Sequence, residues 1–95
     1  MNEVDDAILE FLEDIEESTE YPVALPPTAV YVNLVEQLDK LDRSPQTISR
    51  RMGDLAAMGF LEVVDEKRRY YRITELGLAY LAGELDAGEI PRPDE

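Results

Sequence analysis

The change of hydrophobic period along residues 45–73 constrains the fold of this 95-residue chain more than any other feature. In 45–58, apolar residues recur at the three- and four-residue spacing of an amphipathic helix. Two β-rich runs follow, 60–64 and 69–73, and the charged tip 65–68 between them predicts a hairpin. A chain of this length has room for one domain with a single core.

Helical spacing recurs in three further segments. We predict one helix over 3–17, one that Pro27 opens and that ends between 37 and 41, and one that Thr74 caps and that runs to about Leu85. The predicted buried faces are Val4, Ala7, Ile8, Phe11, Leu12 and Ile15 in the first helix, Val30, Leu34 and Leu38 in the second, and Ile48, Met52, Leu55 and Ala56 in helix 45–58.

The order of these elements indicates a fold. Three helices, a two-stranded hairpin and a C-terminal helix predict a mainly α (α+β) winged helix-turn-helix domain. Residues 18–27 contain three prolines and are expected to form a loop or a short extended segment. We place the domain at 1–87 and a flexible tail at 88–95.

The formal net charge of −13 argues at first against a nucleic-acid partner, because phosphates repel an acidic protein. The charge is unevenly distributed, however. Residues 1–39, 40–72 and 73–95 carry −11, +3 and −5, and eight of the nine basic residues lie in the middle segment. We interpret the acid excess as typical of a protein adapted to concentrated salt, with a mesophilic acidic protein as the alternative, and the middle segment as a candidate binding surface.

Composition excludes much catalytic and metal-binding chemistry. The chain has no cysteine and no histidine, which removes disulfides, thiolate nucleophiles, His-dependent triads and ordinary zinc sites. The acid pairs Asp5–Asp6 and Glu16–Glu17 lie in an acid-rich helix, and the sequence has no glycine-rich phosphate loop. We expect no enzymatic activity and no cofactor.

The polar face of helix 45–58 suits the major groove of DNA. Arginine and glutamine bond base edges in bidentate geometry, and serine and threonine hydroxyls reach bases or phosphates. An ordinary amphipathic helix whose polar face meets water is the alternative. We predict base contacts by Gln46, Thr47 and Arg50, and backbone contacts by Ser44, Ser49 and Arg51.

The tip of the predicted hairpin is basic. Lys67, Arg68 and Arg69 are adjacent like charges, which cost stability unless they meet an anion. We predict that they contact the DNA backbone or enter the minor groove as a wing. A charged loop that serves solubility is the alternative.

Several stretches resemble known transcription regulators. SPQTISRRMGDL at 44–55 and MGFL at 58–61 resemble the recognition-helix signature of winged-helix regulators, and YRITELG at 71–77 is similar to their wing exit. YVNLVE at 31–36 and YLAGELDA at 80–87 resemble the haloarchaeal branch related to the halovirus phi-H repressor. The resemblance implies a sequence-specific regulator, usually dimeric, that reads DNA with its third helix and wing.

The last predicted helix is apolar on more than one side, which predicts two packing partners. One is its own core, and we predict that the other is a second subunit; a helix sunk entirely in its own fold is the alternative. A twofold homodimer would place two recognition helices ~34 Å apart and would imply a palindromic operator. The predicted dimer contacts are Phe11, Ile15, Leu78, Leu81 and Leu85.

Together these features predict a repressor-like regulator that binds double-stranded DNA. Because the amino terminus is acidic and no apolar run has membrane-spanning length, we expect it in the cytoplasm and away from membranes. The −13 charge and the apolar last helix leave a second interpretation open. In it, the same winged-helix fold is a protein–protein interaction module that does not bind DNA.

Overall fold

The computed structural model describes residues 3–19, 23–39 and 41–84, which form an α+β fold of four helices and a two-stranded antiparallel sheet. Helix α1 spans Glu3–Glu17, α2 spans Pro27–Tyr31 and continues as a π-helical segment over Val32–Gln37, and α3 spans Pro45–Ala57. Strands β1 (Leu61–Asp65) and β2 (Tyr70–Ile73) precede α4 (Glu75–Leu81). The predicted order of elements is confirmed. The predicted tail at 88–95 lies outside the described residues.

A single hydrophobic core lies between α1, α2, α3 and the inner face of the hairpin. Each predicted helix face contributes to it, because residues at helical spacing lie on one side of the helix. Its buried members in the described part of the chain are Val4, Ile8, Leu9, Leu12, Val30, Leu34, Leu41, Ile48, Met52, Leu55, Met58, Phe60, Leu61, Tyr71 and Ile73.

The second helix departs from the prediction at Leu38. Its N–H bonds to the carbonyl of Asn33 at 2.8 Å, five residues back, so the last turn is wound as a π-helix. At the start of the π-helical segment, the Asn33 side chain donates a hydrogen bond to the carbonyl of Ala29 at 2.7 Å. The wider turn rotates Leu38 away from the core, and the residue is 49% exposed. Its predicted place on the buried face is wrong.

One residue of the proline-rich segment 18–27 pairs with the hairpin alongside β2. β1 and β2 pair antiparallel with Leu61 opposite Ile73, and the register shifts between Val63 and Asp65. Leu25 bonds to Tyr71 through both of its backbone groups, at 2.8 and 2.9 Å, on the other side of β2. The predicted short extended segment is therefore present, and it makes β2 the central strand.

Thr74 and Gly77 join the hairpin to α4. The Thr74 hydroxyl donates to the carbonyl of Gly59 at 2.6 Å and accepts the N–H of Gly77 at 3.2 Å, so it caps α4 as predicted. Gly77 is buried against the hairpin: a β-carbon there would lie 2.6 Å from the carbonyl oxygen of Phe60 and 2.8 Å from Ile73. Only glycine fits this approach.

Helix α4 is shorter than predicted and packs on α1. It ends at Leu81, since Gly83 takes a left-handed conformation with φ +74°, and Leu85 lies outside the described residues. The Tyr80 hydroxyl donates to Asp6 of α1 at 2.7 Å, and its ring lies 5.6 Å from that of Phe60. Burial, followed by this hydrogen bond, raises the pKa of Tyr80 from 10.0 to about 12.

We expect Gly77→Ala to destabilise the protein by about 2 kcal/mol, because the added carbon collides with backbone and with a buried side chain. Gly53→Ala is the matched control. Its β-carbon meets no atom within 4 Å, and alanine favours a helix interior, so a gain of about 1 kcal/mol is expected. Urea unfolding of both variants measures the difference, and equal effects would contradict the close approach at Gly77.

Stability should fall as the pH rises from 10 to about 12. In this window the unfolded chain has lost the Tyr80 proton while the folded chain retains it. The stabilisation that Tyr80 contributes is therefore fully present below pH 10, and it is lost as the pH rises through the folded-state pKa of about 12.

Tyr80→Phe should remove about 1 kcal/mol at neutral pH, where it lacks the hydrogen bond to Asp6, and should flatten the alkaline decline. Urea midpoints across the pH range measure both effects. A decline in the variant as steep as in the parent would exclude Tyr80 as its source.

Candidate nucleic-acid interface

The amino-terminal end of α3 is fixed by its cap. Ser44 has an extended backbone, and its Oγ accepts the N–H of Thr47 at 3.2 Å. Pro45 occupies the first helical position, where its missing N–H costs nothing. The Oγ atoms of Ser44 and Thr47 lie 3.0 Å apart. Both hydroxyls therefore have local partners, whereas Gln46 and Ser49 are exposed.

The hairpin tip is organised by Asp65. Its Oδ1 accepts the backbone N–H groups of Lys67 at 3.0 Å and Arg68 at 3.1 Å, which closes the turn. Arg69 then takes a left-handed conformation with φ +57°. Glycine or asparagine adopts that conformation at lower cost, and an arginine there costs about 1 kcal/mol. Unfavourable backbone conformations are concentrated at functional sites, so Arg69 is a candidate functional residue.

The tip and the start of α3 enclose one groove of about 390 Å³. We call it the α3–tip groove. It brings together four predicted site residues, Gln46, Ser49, Arg68 and Arg69, from segments about twenty positions apart. The start of α2 forms the rest of the lining with Pro26, Pro27 and Thr28, together with Pro45.

A second hollow of about 360 Å³ lies beside α3 and contains Arg50. We call it the Arg50 hollow. Thr47 and Arg50 therefore border a different depression from Gln46 and Ser49, and Ser44 lines neither of the two. The remaining lining residues are Glu3, Val4, Arg43 and Arg51.

Arg51 is a structural ion-pair partner. Its guanidinium donates to both oxygens of Asp5, at 2.8 and 2.7 Å, and to Asp54 at 2.9 Å. The Asp5 side chain is fully buried and that of Arg51 is 21% exposed. The hydrogen bond to Asp5 raises the pKa of Arg51 above its already high ordinary value. Three of its five N–H groups already bind α1 and its own helix, which disfavours a contact of Arg51 with the DNA backbone; that contact stays a prediction.

The described basic residues divide into three groups by what they contact. Arg51 and Arg72 are held inside the fold, the latter by Glu16 at 3.0 Å and Glu62 at 3.4 Å. Arg43 and Arg68 make long pairs near the surface, with Glu3 at 3.9 Å and with Asp65 at 4.0 Å. Within residues 3–19, 23–39 and 41–84, three basic side chains make no ion pair, and all three belong to the predicted interface: Arg50, Lys67 and Arg69.

Sequence reasoning missed Arg43 and the start of α2. Arg43 precedes the helix and belongs to no periodic pattern, so only its place beside Arg50 makes it notable. Pro26, Pro27 and Thr28 were recognisable as a helix start. Their position opposite Gln46 follows from the packing of α2 against α3, which no local signal reveals.

The predicted dimer residues lie on or beside the core. Phe11, Leu78 and Leu81 are partly buried and pack against it, and Ile15 is also partly buried. Leu85 lies outside the described residues. The packing of α4 on α1 covers part of the apolar surface that predicted a second partner, so the homodimer stays a prediction.

Comparison with known proteins found no relative: no family model matches the chain, and no curated protein or solved structure matches it significantly. In the part of the chain that the structure describes, no group of acidic side chains is arranged to hold a metal ion. No helix among those residues has the length and apolar character needed to cross a membrane.

We expect Arg51→Met to destabilise the protein by about 3 kcal/mol, because it leaves the buried Asp5 carboxylate without its guanidinium. Arg43→Met is the matched control. It breaks an exposed pair 3.9 Å long and should cost less than about 1 kcal/mol.

The double variant Asp5→Leu/Arg51→Met should recover most of the loss, since the buried carboxylate that lost its guanidinium is itself replaced by an apolar side chain. Urea unfolding measures all three free energies. If Arg51→Met were as mild as the control, the ion pair would not anchor α3.

Proposed function

We propose that the chain is a winged helix-turn-helix regulator that binds double-stranded DNA in a sequence-specific, repressor-like manner. In this proposal α3 is the recognition helix and the β1–β2 hairpin is the wing. The observation that carries it is the placement of Arg50, Lys67 and Arg69. Arg50 lies on α3, and Lys67 and Arg69 lie at the hairpin tip. All three cations are unpaired among the described residues, although the whole chain is strongly acidic.

The dimensions and chemistry of α3 support a major-groove position. A helix with its side chains is about 10–12 Å wide, close to the ~12 Å width of the groove. Gln46 and Arg50 present amide and guanidinium groups suited to adenine and guanine edges. Thr47 is a secondary base contact in this proposal, because its hydroxyl is already paired with that of Ser44.

The tip of the hairpin supports backbone contacts. Lys67, Arg68 and Arg69 are exposed there, and Ser49 shares the α3–tip groove with two of them. Cationic groups on both sides of a recognition helix fix its register on the phosphates without reading sequence. Ser44 remains a weaker candidate for this contact, because its Oγ caps α3.

A homodimer on a palindromic operator belongs to the same proposal. Its motivation is the partly exposed apolar surface of α4 and the adjoining α1, which Ile15, Leu78 and Leu81 share. Sedimentation equilibrium with and without DNA tests it. A monomer in both conditions would exclude this part of the proposal and would leave DNA binding by single domains.

The interaction-module alternative has one observation in its favour. Val63 and Val64 are exposed on β1, and β1 keeps an edge that no other described segment pairs with. Titration of duplex DNA at several KCl concentrations distinguishes the two functions. Absence of DNA binding at low salt, together with a stable protein complex, would favour the module.

We expect Arg50→Ala to cost about 1–3 kcal/mol on a duplex selected from a random library, and to relax base preference at one position. Lys67→Ala should weaken all sequences equally and reduce the salt slope by about 1. Fluorescence anisotropy on matched and scrambled duplexes measures both.

Ala82→Glu is the charge-matched control for these two variants. It lowers the net charge by the same unit at an exposed residue beyond the end of α4, and should change binding little. If Arg50→Ala and Lys67→Ala behaved like this control, the assignment of the two faces would be wrong.

A further inference from the structure

Two cations at the edges of the candidate interface each face one carboxylate. Arg43, in the Arg50 hollow, lies 3.9 Å from Glu3, and their side chains are 44% and 75% exposed. Arg68, in the α3–tip groove, lies 4.0 Å from Asp65, and their side chains are 73% and 41% exposed. One pair joins α1 to the loop before α3, and the other lies within the hairpin. The same arrangement thus occurs twice, on separate elements.

Such pairs are weak and exchange partners readily. They are solvated, longer than a good hydrogen bond, and screened by salt. A phosphate oxygen that approaches Arg43 or Arg68 would therefore compete with a carboxylate, and the carboxylate would be left exposed beside the DNA. The pairs of Arg51 with Asp5 and of Arg72 with Glu16 are shorter and partly buried, so they differ in kind.

We propose that Glu3 and Asp65 are competing carboxylates that limit the affinity of this surface for DNA of arbitrary sequence; the inference rests on the proposed function. When DNA displaces one of them, the freed carboxylate takes up a cation from solution. That uptake cancels the counterion that the phosphate releases. Arg43 and Arg68 therefore position the protein on DNA with almost no net gain from ion release.

The unpaired cations of the hairpin tip then set the salt dependence. Lys67 and Arg69 each neutralise a phosphate and release its counterion in full, which gives a slope of log affinity against log salt of about −1.8. Base-edge hydrogen bonds by Gln46 and Arg50 are unaffected by the two carboxylates. Because the same phosphates are contacted in both complexes, the carboxylates lower the affinity for specific and arbitrary sequences alike, and the base-edge bonds then determine which sequences are still bound.

The experiment neutralises each carboxylate at constant shape. Glu3→Gln and Asp65→Asn remove one negative charge each, and asparagine keeps the oxygen that accepts from Lys67 and Arg68. Glu17→Gln removes the same charge from an exposed site at the end of α1 that makes no ion pair in the described chain. Affinities for a duplex of scrambled sequence are measured between about 50 and 200 mM KCl. Urea midpoints verify that all variants are folded.

We expect Glu3→Gln and Asp65→Asn each to steepen the slope by about 0.9, so that affinity falls about 3.5-fold more over this range than in the parent. Glu17→Gln should leave the slope unchanged. Equal slopes in all four proteins would overturn the inference, and so would an equal change in all three variants, which would indicate a general charge effect. If no protein bound any DNA at low salt, the proposed function itself would fail.

Discussion

The ion pair between Arg51 and Asp5 is the interaction on which the orientation of the third helix depends. A fully buried carboxylate in the first turn of α1 binds two donors of one guanidinium on α3. A buried charge without its partner is costly, so the two helices are fixed relative to each other in translation and in rotation. The pair lies beside the apolar stripe of α3 and adds direction to a contact that hydrophobic burial alone leaves non-directional.

Once α3 is oriented, the charges of the middle segment acquire different functions. Arg51 and Arg72 join α1 to α3 and to β2, while Arg50, Lys67 and Arg69 are left without ion pairs among the described residues. The number of basic residues in a segment therefore overstates how many of them are available to a partner. The candidate interface consists of a few side chains within a strongly acidic protein, which favours contacts that depend on geometry over contacts that depend on total charge.

The two ends of the candidate interface are stabilised by backbone capping. Ser44 holds the first turn of α3, and Asp65 holds the hairpin tip through two backbone N–H groups. These local hydrogen bonds fix the backbone positions of Gln46 and Arg68, and they do so without contact to another molecule. Arg69 shows the opposite situation, since its left-handed backbone is less favourable for arginine than for glycine.

The sequence by itself determined the elements and their order. Helical periodicity, the Ser44–Pro45 start and the β-rich runs around a charged tip are local signals, and local hydrogen bonding and burial obey them. Only the tertiary structure decided which charged groups meet. Arg51 lies 46 positions from Asp5, and no periodic pattern indicates that pairing. Leu38 lies outside the core where the last turn of its helix is π-helical, and the α3–tip groove is formed by three segments distant along the chain. Contacts of this kind depend on how distant segments pack together. Sequence patterns report only the periodicity and the capping within one helix or hairpin.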